Sequence, residues 1–550
     1  MTHPTDRFRL LTAQINPTVG DIAGNARRIR RVQQAARHHN VDLILFPELT
    51  LSGYPPEDLV RRPDFLRRCA EEAETLAALT SDGPDMLVGL PWDDAGVCRN
   101  AVALLAKGKI ADLRFKHYLP NEGVFDEVRT FVPGPLPKPI TWRGLKLGVP
   151  ICEDWWQPDV CAHLAKKGAE LLLSLNGSPY RLPVAETRRR LVRARTQDTG
   201  LPFVFCNQVG GQDELVFDGH STITTAAGTQ VQSARSFGPH LALSDWSKSD
   251  KGWRIKSQVK TPSPETEAGL YQAMCTSLRD YINKSRFPGV ILGLSGGIDS
   301  ALSLLVAVDA LGAHRVQAVM MPSPYTSQDS LDDAEALARN LGVQLHTLPI
   351  AEITEAFEDS LLPVLPKGPQ GLTAENLQSR TRGVLLMALS NSLGLMTLTT
   401  GNKSEMAVGY ATLYGDMCGG YNVLKDLYKT QVYHIARWRN AQSTPPPMPE
   451  RILTRAPSAE LRPDQTDQDS LPPYEVLDAI LMGLVDREDS LEAIIAEGHS
   501  PDTVREVQRL LRNSEYKRRQ APPGVKLSER AFGRDWRYPL VNHFQGGLSS

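Results

Sequence analysis

Short apolar runs alternate with amphipathic stretches along the first half of the chain. Arg9–Ile15 reads as a strand, and Ile22–His39 suits a helix with Asp21 available as its N-cap. Val41–Phe46 is a short continuous apolar run, the pattern of a strand buried on both faces. Met86–Leu90, Ala101–Leu105, Leu145–Ile151, Leu171–Leu175 and Phe203–Gln208 continue the series. Such alternation implies a layered α/β domain.

The pattern lapses into Ser, Lys, Asp, Thr and Pro around Trp246–Glu267, a composition shift expected of a linker. It then restarts as strand Val290–Leu294, helix Asp299–Leu311, strand Val316–Met321, helix Ser330–Leu341 and strand Leu395–Thr399. A Pro-rich tract, Ser443–Pro449, precedes a charged, helix-rich end, and no internal repeat joins the halves. The expected division is a domain over 1–250, a linker over 251–268 and a second domain over 269–550. A chain of 550 residues also favours more than one core.

Composition changes this picture little. Lys and Arg number 61 against 63 for Asp and Glu, so no global field points to nucleic acid or an anionic membrane. The most apolar window, Gly383–Thr400, is broken by Ser390, Asn391, Ser392 and Gly394, and reads as a helix end followed by a strand. The first ten residues lack the basic-then-apolar pattern of a secretory leader. Seven scattered cysteines without zinc-type spacing lead us to expect reduced thiols in a cytoplasmic protein. Charge on a substrate must therefore be handled locally.

The local chemistry is densest at Gly293-Leu294-Ser295-Gly296-Gly297-Ile298-Asp299-Ser300, where a strand passes through two glycines into a helix. Glycine permits a tight turn, and the helix start offers unpaired N–H groups to an anion. Ser295 and Ser300 add hydroxyls, and Asp299 is a hard oxygen ligand suited to Mg2+. The lysine of a Walker loop and the GxGxxG dinucleotide fingerprint are both missing. The hexapeptide Ser295–Ser300 resembles the SGGxDS loop of the ATP-pyrophosphatase superfamily, whose members cleave ATP between its α and β phosphates to activate an oxygen for amination.

Within that superfamily, Thr399–Glu405, Gly409-Tyr410, Tyr414-Gly415-Asp416, Leu424–Val432, Glu375–Arg382 and Ser514–Arg519 are similar to the NAD synthetase signature. The resemblance implies that Gly293–Ser300 and Thr400 hold ATP, and that Asp299 and Glu405 ligate magnesium. It places Asn376, Arg380, Glu405, Asp416, Lys429 and Lys517 around deamido-NAD. A carboxylate attacking ATP brings two anions together, so cations must offset the repulsion. Lys403, Lys425 and Lys429 fit that demand.

In the first half, Glu48 closes an apolar strand, Lys116 lies in Phe115–Pro120, and Cys152 ends another strand in Pro150–Trp156. Together they resemble the Glu-Lys-Cys triad of the nitrilase superfamily, a four-layer αββα sandwich that hydrolyses amides through a thioester. That resemblance makes Glu48 the base, Lys116 the oxyanion partner and Cys152 the nucleophile. Glu127 is either a second family glutamate or a structural carboxylate. Leu51–Leu59, Asn176–Tyr180 and Asn207–Glu214 extend the match across residues 8–240.

The order of the two halves is similar to the architecture of the glutamine-dependent NAD synthetase family. It implies a nitrilase-like sandwich followed by a doubly wound parallel-sheet domain. It implies that glutamine-derived ammonia amidates deamido-NAD at the expense of ATP, releasing AMP, pyrophosphate and glutamate. A homo-oligomer and an enclosed ammonia path are implied as well. Ser178, and the positions of Glu122 and Val184, would contact glutamine. The family usually has Tyr at the Glu122 position and Lys or Arg at the Val184 position, with Arg181 a candidate replacement cation. The alternative is an ammonia-dependent synthetase whose first domain is impaired or only a scaffold.

Overall fold

A computed structural model describes residues 6–257, 259–463 and 465–544. The chain forms two compact units, Met1–Pro264 and Glu265–Ser550.

The first unit holds two large sheets, of seven and six strands, and a two-stranded ribbon of Val209–Gln212 with Leu215–Asp218. The larger runs in the order Gly252–Ser257, His240–Ser249, Arg7–Gln14, Leu43–Leu45, Asp85–Asp94, Val97–Ala106, Lys109–Phe115. The smaller runs Gln230–Ser233, Thr222–Thr224, Phe203–Asn207, Leu171–Asn176, Leu145–Gly148, Ile140–Trp142. Successive strand residues point to opposite faces, and the core follows that period. Leu10, Leu43, Leu45 and Leu87 from one sheet pack with Leu171, Leu173, Leu175 and Val204 from the other. Their neighbours Leu11, Ile44, Met86 and Val88 face outward, against helices Ile22–Arg37 and Pro63–Ala78. Leu172, Phe203 and Phe205 likewise turn outward, onto helices Pro158–Lys166 and Val184–Thr199. The layers are therefore helix, sheet, sheet, helix. Asp21 caps its helix as expected, its carboxylate accepting from Gly24 N at 2.9 Å.

One expectation fails. Most of the Trp246–Glu267 stretch is not a linker, because His240–Ser249 and Gly252–Ser257 form a hairpin on the edge of the seven-stranded sheet. The hairpin carries charges on its outward face and buries Trp246 against Phe8, their rings 5.4 Å apart. Trp253 of the edge strand packs on the same Phe8 ring at 5.4 Å, but the charged residues between these two anchors leave too weak an alternation to read from sequence.

The second unit is built on five parallel strands in the order Gln344–Thr347, Val316–Met320, Val290–Gly293, Met396–Thr399, Tyr421–Asn422. Val290, Ile291 and Leu292 are all fully buried, so helices cover both faces of the sheet. In chain order the strands run third, second, first, fourth, fifth. The order reverses beside Val290–Gly293, and ligands of doubly wound sheets bind at the carboxyl ends of strands flanking such a switch. Leu477, Ile480, Val504, Val507 and Trp536 make a separate helical core around Met406–Val408. No helix among the described residues is long and apolar enough to cross a membrane.

Candidate functional site

In the first unit, Glu48, Lys116, Cys152 and Ser178 follow the strands Leu43–Leu45, Lys109–Phe115, Leu145–Gly148 and Leu171–Asn176. All four side chains are buried. Lys116 Nζ donates to Glu48 Oε1 at 2.7 Å and to Glu127 Oε1 and Oε2 at 2.8 and 2.9 Å. Glu48 also accepts from Asn100 Nδ2 at 2.7 Å and from Gly177 N at 2.8 Å. A Cβ on Gly177 would stand 2.9 Å from the Tyr54 ring, so glycine is what lets this backbone N–H reach the carboxylate. Tyr54 donates its hydroxyl to Glu127 Oε1 at 2.9 Å.

Cys152 sits at a sharp turn with φ +43°, in the left-handed region that non-glycine residues rarely occupy. Asp154 braces the turn. Its carboxylate accepts from Ile151 N on one side and from His117 N and Tyr118 N on the other, which ties the cysteine segment to the lysine segment.

The electrostatics follow from burial. Burial pushes the Cys152 thiol well up and the Glu48 charge adds to the rise, with Lys116 pulling the other way. Burial lowers Lys116, but Glu127 and Glu48 outweigh it and hold the ammonium well above its usual range. Glu127 is raised to about 7 by burial, against the pull of Lys116. The cluster is a protonated thiol beside a fixed cation held by two carboxylates.

Around this cluster, Arg188 donates to both oxygens of Asp218, to Ser178 Oγ and to the carbonyls of Ser178 and Pro179. Glu122 is exposed on a turn, whereas Val184 is buried at the start of its helix. Arg181 is half-buried.

In the second unit, Gly293–Ser300 and Thr400 line a cavity of about 330 Å3, together with Glu405, Asp416 and Lys429. That size falls within the range of small-molecule sites. Gly296 has φ +82°, and a Cβ there would lie 2.3 Å from Ser330 O, so only glycine makes this turn. Ser295 and Ser300 bond each other at 3.0 Å and hold the loop closed.

Lys429 Nζ donates to Asp299 Oδ2 at 2.5 Å and to Glu405 Oε1 at 3.1 Å. Asn402 touches both acidic residues: its side-chain amide donates to Asp299 Oδ1 at 2.9 Å, its side-chain carbonyl accepts from Glu405 N at 3.0 Å and so caps the helix Lys403–Val408, and its backbone N–H donates to Glu405 Oε2 at 3.5 Å. Burial raises Glu405 to about 7, with Lys429 opposing and Asp299 adding to the rise. Burial lowers Lys429, but Asp299 and Glu405 reverse that and raise its ammonium.

The remaining sequence candidates divide. Asn376 accepts from Thr412 Oγ1, Arg380 donates to Leu413 O, and Lys517 donates to Gly409 O and Ala411 O. All three brace the segment 409–413 and do not line the cavity. Lys403 is a correction. Its fully buried ammonium is engaged by Asp486, Ser528, Arg530 O and Asp426 and offers nothing to a ligand. Lys425 is buried and lies outside the cavity lining. Asn402, Asn100 and Tyr54 were missed as site residues, although Asn402 and Tyr54 lie inside matched motifs. Their signal is visible only once their partners are in place.

Comparison with known proteins finds a different family model in each unit. The family model for carbon-nitrogen hydrolase matches residues 10–244, and that for NAD synthase matches residues 270–521. The glutamine-dependent NAD(+) synthetase of Rhodobacter capsulatus is 48% identical over 549 residues, 98% of this chain and 99% of that one. The enzyme of the same name from Acinetobacter baylyi is 45% identical over 97% of this chain and 98% of its own. The solved glutamine-dependent NAD+ synthetase of Acinetobacter baumannii, in complex with ADP, superposes with a TM-score of 0.79 at 42% identity, covering 98% of this chain and 99% of that one.

Proposed function

Because this chain belongs to the glutamine-dependent NAD(+) synthetase family, we propose that its first unit releases ammonia from glutamine and its second uses that ammonia to amidate deamido-NAD. The protein is a glutamine-hydrolysing NAD synthase that consumes ATP. The observation that carries the reading is the pairing, in one chain, of the buried Glu48–Lys116–Cys152 cluster with the glycine loop at Ser295–Ser300.

Cys152 begins as a thiol, since burial and Glu48 disfavour its anion. Glu48 takes the thiol proton as Sγ attacks the side-chain amide carbon, and Lys116 stabilises the oxyanion. Collapse breaks the C–N bond, and Glu48 returns the proton to the departing ammonia. Water then cleaves the thioester and gives glutamate. Glu127 supplies the second negative charge that keeps Lys116 protonated and aimed. Ser178, held by Arg188, contacts glutamine, with Glu122 and Val184 at its margin.

In the second unit the nicotinate carboxylate attacks the α-phosphorus of ATP, forming an acyl adenylate and releasing pyrophosphate. Ammonia adds to the acyl carbon, AMP leaves with its bonding pair, and a proton is lost. The loop 293–300 and Thr400 hold the nucleotide, and Glu405, Asp416 and Lys429 of the same cavity serve the dinucleotide. Asn376, Arg380 and Lys517 act through the segment they brace. Asp299 and Glu405 would hold Mg2+: both are hard oxygen donors already converged on one cation, the Lys429 ammonium. When bound, the ion would offset the charge of the polyphosphate.

Reduced thiols fit a cytoplasmic location, and all seven cysteines are unpaired. A homo-oligomer is supported by helices Ala351–Leu361 and Leu372–Leu393, where Ile353, Phe357, Leu372 and Val384 are exposed.

NAD formation supported by glutamine and by ammonium, in wild type and Cys152→Ala, tests the whole reading. The variant loses only the glutamine-supported rate. A wild type unable to use glutamine, or pyrophosphate release that ignores deamido-NAD, overturns it.

A further inference from the structure

On the helix Leu372–Leu393, Ser379, Arg382, Gly383 and Leu386 recur at i, i+3, i+4 and i+7, and all four line the nucleotide cavity. Both ends of this face are fixed. Leu386 packs with Ile291, Val319 and Met321, 3.6 Å from where a Cβ on Gly293 would stand. Ser379 Oγ accepts from Asp416 N at 3.0 Å. Arg382 lies between them, and its Nε donates to Met321 O at 3.0 Å.

Arg382 differs from the other two cations of the cavity. Lys429 is engaged by Asp299 and Glu405. Arg455 donates to Ser330 Oγ and Ser327 Oγ and has Glu460 at 3.8 Å. Among the described residues, Arg382 makes only the bond to Met321 O and has no carboxylate at ion-pair distance. Burial lowers its guanidinium to about 10, which Glu460 and Asp416 partly oppose, so it stays charged at neutral pH. A largely buried charge without an acidic partner is costly unless a ligand supplies one. The acids of the cavity, Asp299, Glu405, Asp416, Glu460 and Asp467, would repel a polyanion.

We propose that Arg382 is a phosphate-binding residue of this cavity, its two terminal nitrogens gripping phosphate oxygens while Nε–H stays anchored on Met321 O. A planar fork locked by a third bond presents two parallel donors, the geometry that phosphate oxygens accept bidentately. The phosphates belong either to the triphosphate of ATP or to the pyrophosphate bridge of deamido-NAD. The proposal rests on the second unit being an NAD synthase.

The test uses full-length wild type, Arg382→Gln and Arg382→Lys, titrated calorimetrically with ATP, inorganic pyrophosphate, deamido-NAD and adenosine. Glutamine hydrolysis by the first unit and the ligand-free thermal midpoint of the second serve as controls. We expect Arg382→Gln to weaken at least one phosphate ligand about tenfold or more, with adenosine unchanged and the Lys variant in between. Loss for ATP and pyrophosphate assigns the triphosphate, and loss for deamido-NAD alone assigns the dinucleotide. Retention of all three within about twofold by folded Arg382→Gln, or by Arg382→Lys if Gln does not fold, overturns the proposal. So does equal loss for adenosine. A wild type that binds neither ATP nor deamido-NAD instead overturns the function proposed above.

Discussion

Lys116 donates to Glu48 across 2.7 Å inside a fully buried pocket, so the charge of the proposed base is tied to the charge of the proposed oxyanion partner. Removing the cation leaves Glu48 and Glu127 facing each other without compensation, a cost of about 3–5 kcal/mol for a broken buried pair. Lys116→Met is therefore expected to abolish glutamine hydrolysis and lower the thermal midpoint of the first unit. Ammonium-supported NAD formation should persist while the second unit stays folded. Persistence of glutamine hydrolysis would remove Lys116 from the mechanism.

Glu127 gives a pH signature. Its carboxyl is raised from 4.5 to about 7, mainly by burial, so the folded state favours the protonated form. That contribution to stability is fully present below 4.5 and is lost as pH rises through about 7. Glu127→Gln keeps a neutral side chain at every pH. Relative to this variant, the wild-type thermal midpoint should fall as pH rises across that window. Parallel curves for the two proteins would contradict the assignment.

Gly296→Ala tests the loop. A Cβ at φ +82° would lie 2.3 Å from Ser330 O, a backbone atom that cannot step aside cheaply. Strain of about 1–3 kcal/mol is expected, with ATP binding reduced and glutamine hydrolysis by the first unit retained. Calorimetric titration with ATP, beside a glutaminase assay on the same preparation, checks both halves.

Lys403→Met separates a structural lysine from a binding one. The substitution leaves Asp426 and Asp486 without their shared ammonium, and should destabilise the second unit by about 3–5 kcal/mol in denaturant titration. In the fraction that stays folded, KM for ATP and deamido-NAD should match wild type. A selective rise in either KM would return Lys403 to the ligand site.

The exposed apolar helices give an assembly prediction. Phe357→Glu with Val384→Glu places charges on the Ala351–Leu361 and Leu372–Leu393 surfaces without touching a buried contact. Sedimentation should shift toward a smaller species. An unchanged mass would mean that another surface joins the subunits.

The sequence by itself determined the layered α/β pattern and the motifs. Apolar runs such as Leu171–Leu175 are dictated by burial on both faces, and that burial is local enough to read. The glycine loop was legible because its steric demand is written in two adjacent residues. Tertiary structure alone decided which charged groups meet. Lys403 and Lys429 lie in two stretches of the same signature, yet one locks the C-terminal segment and the other bridges Asp299 and Glu405. Glu127 becomes the partner of Lys116 only once the loop between them folds back, and Arg382 becomes the cavity's cation without an acid only after helices and strands far apart in sequence are packed. A side chain's partners depend on distances that no periodicity records. The hairpin at His240–Ser257 was lost for the same reason, since its aromatic anchors, Trp246 and Trp253, acquire meaning only against Phe8.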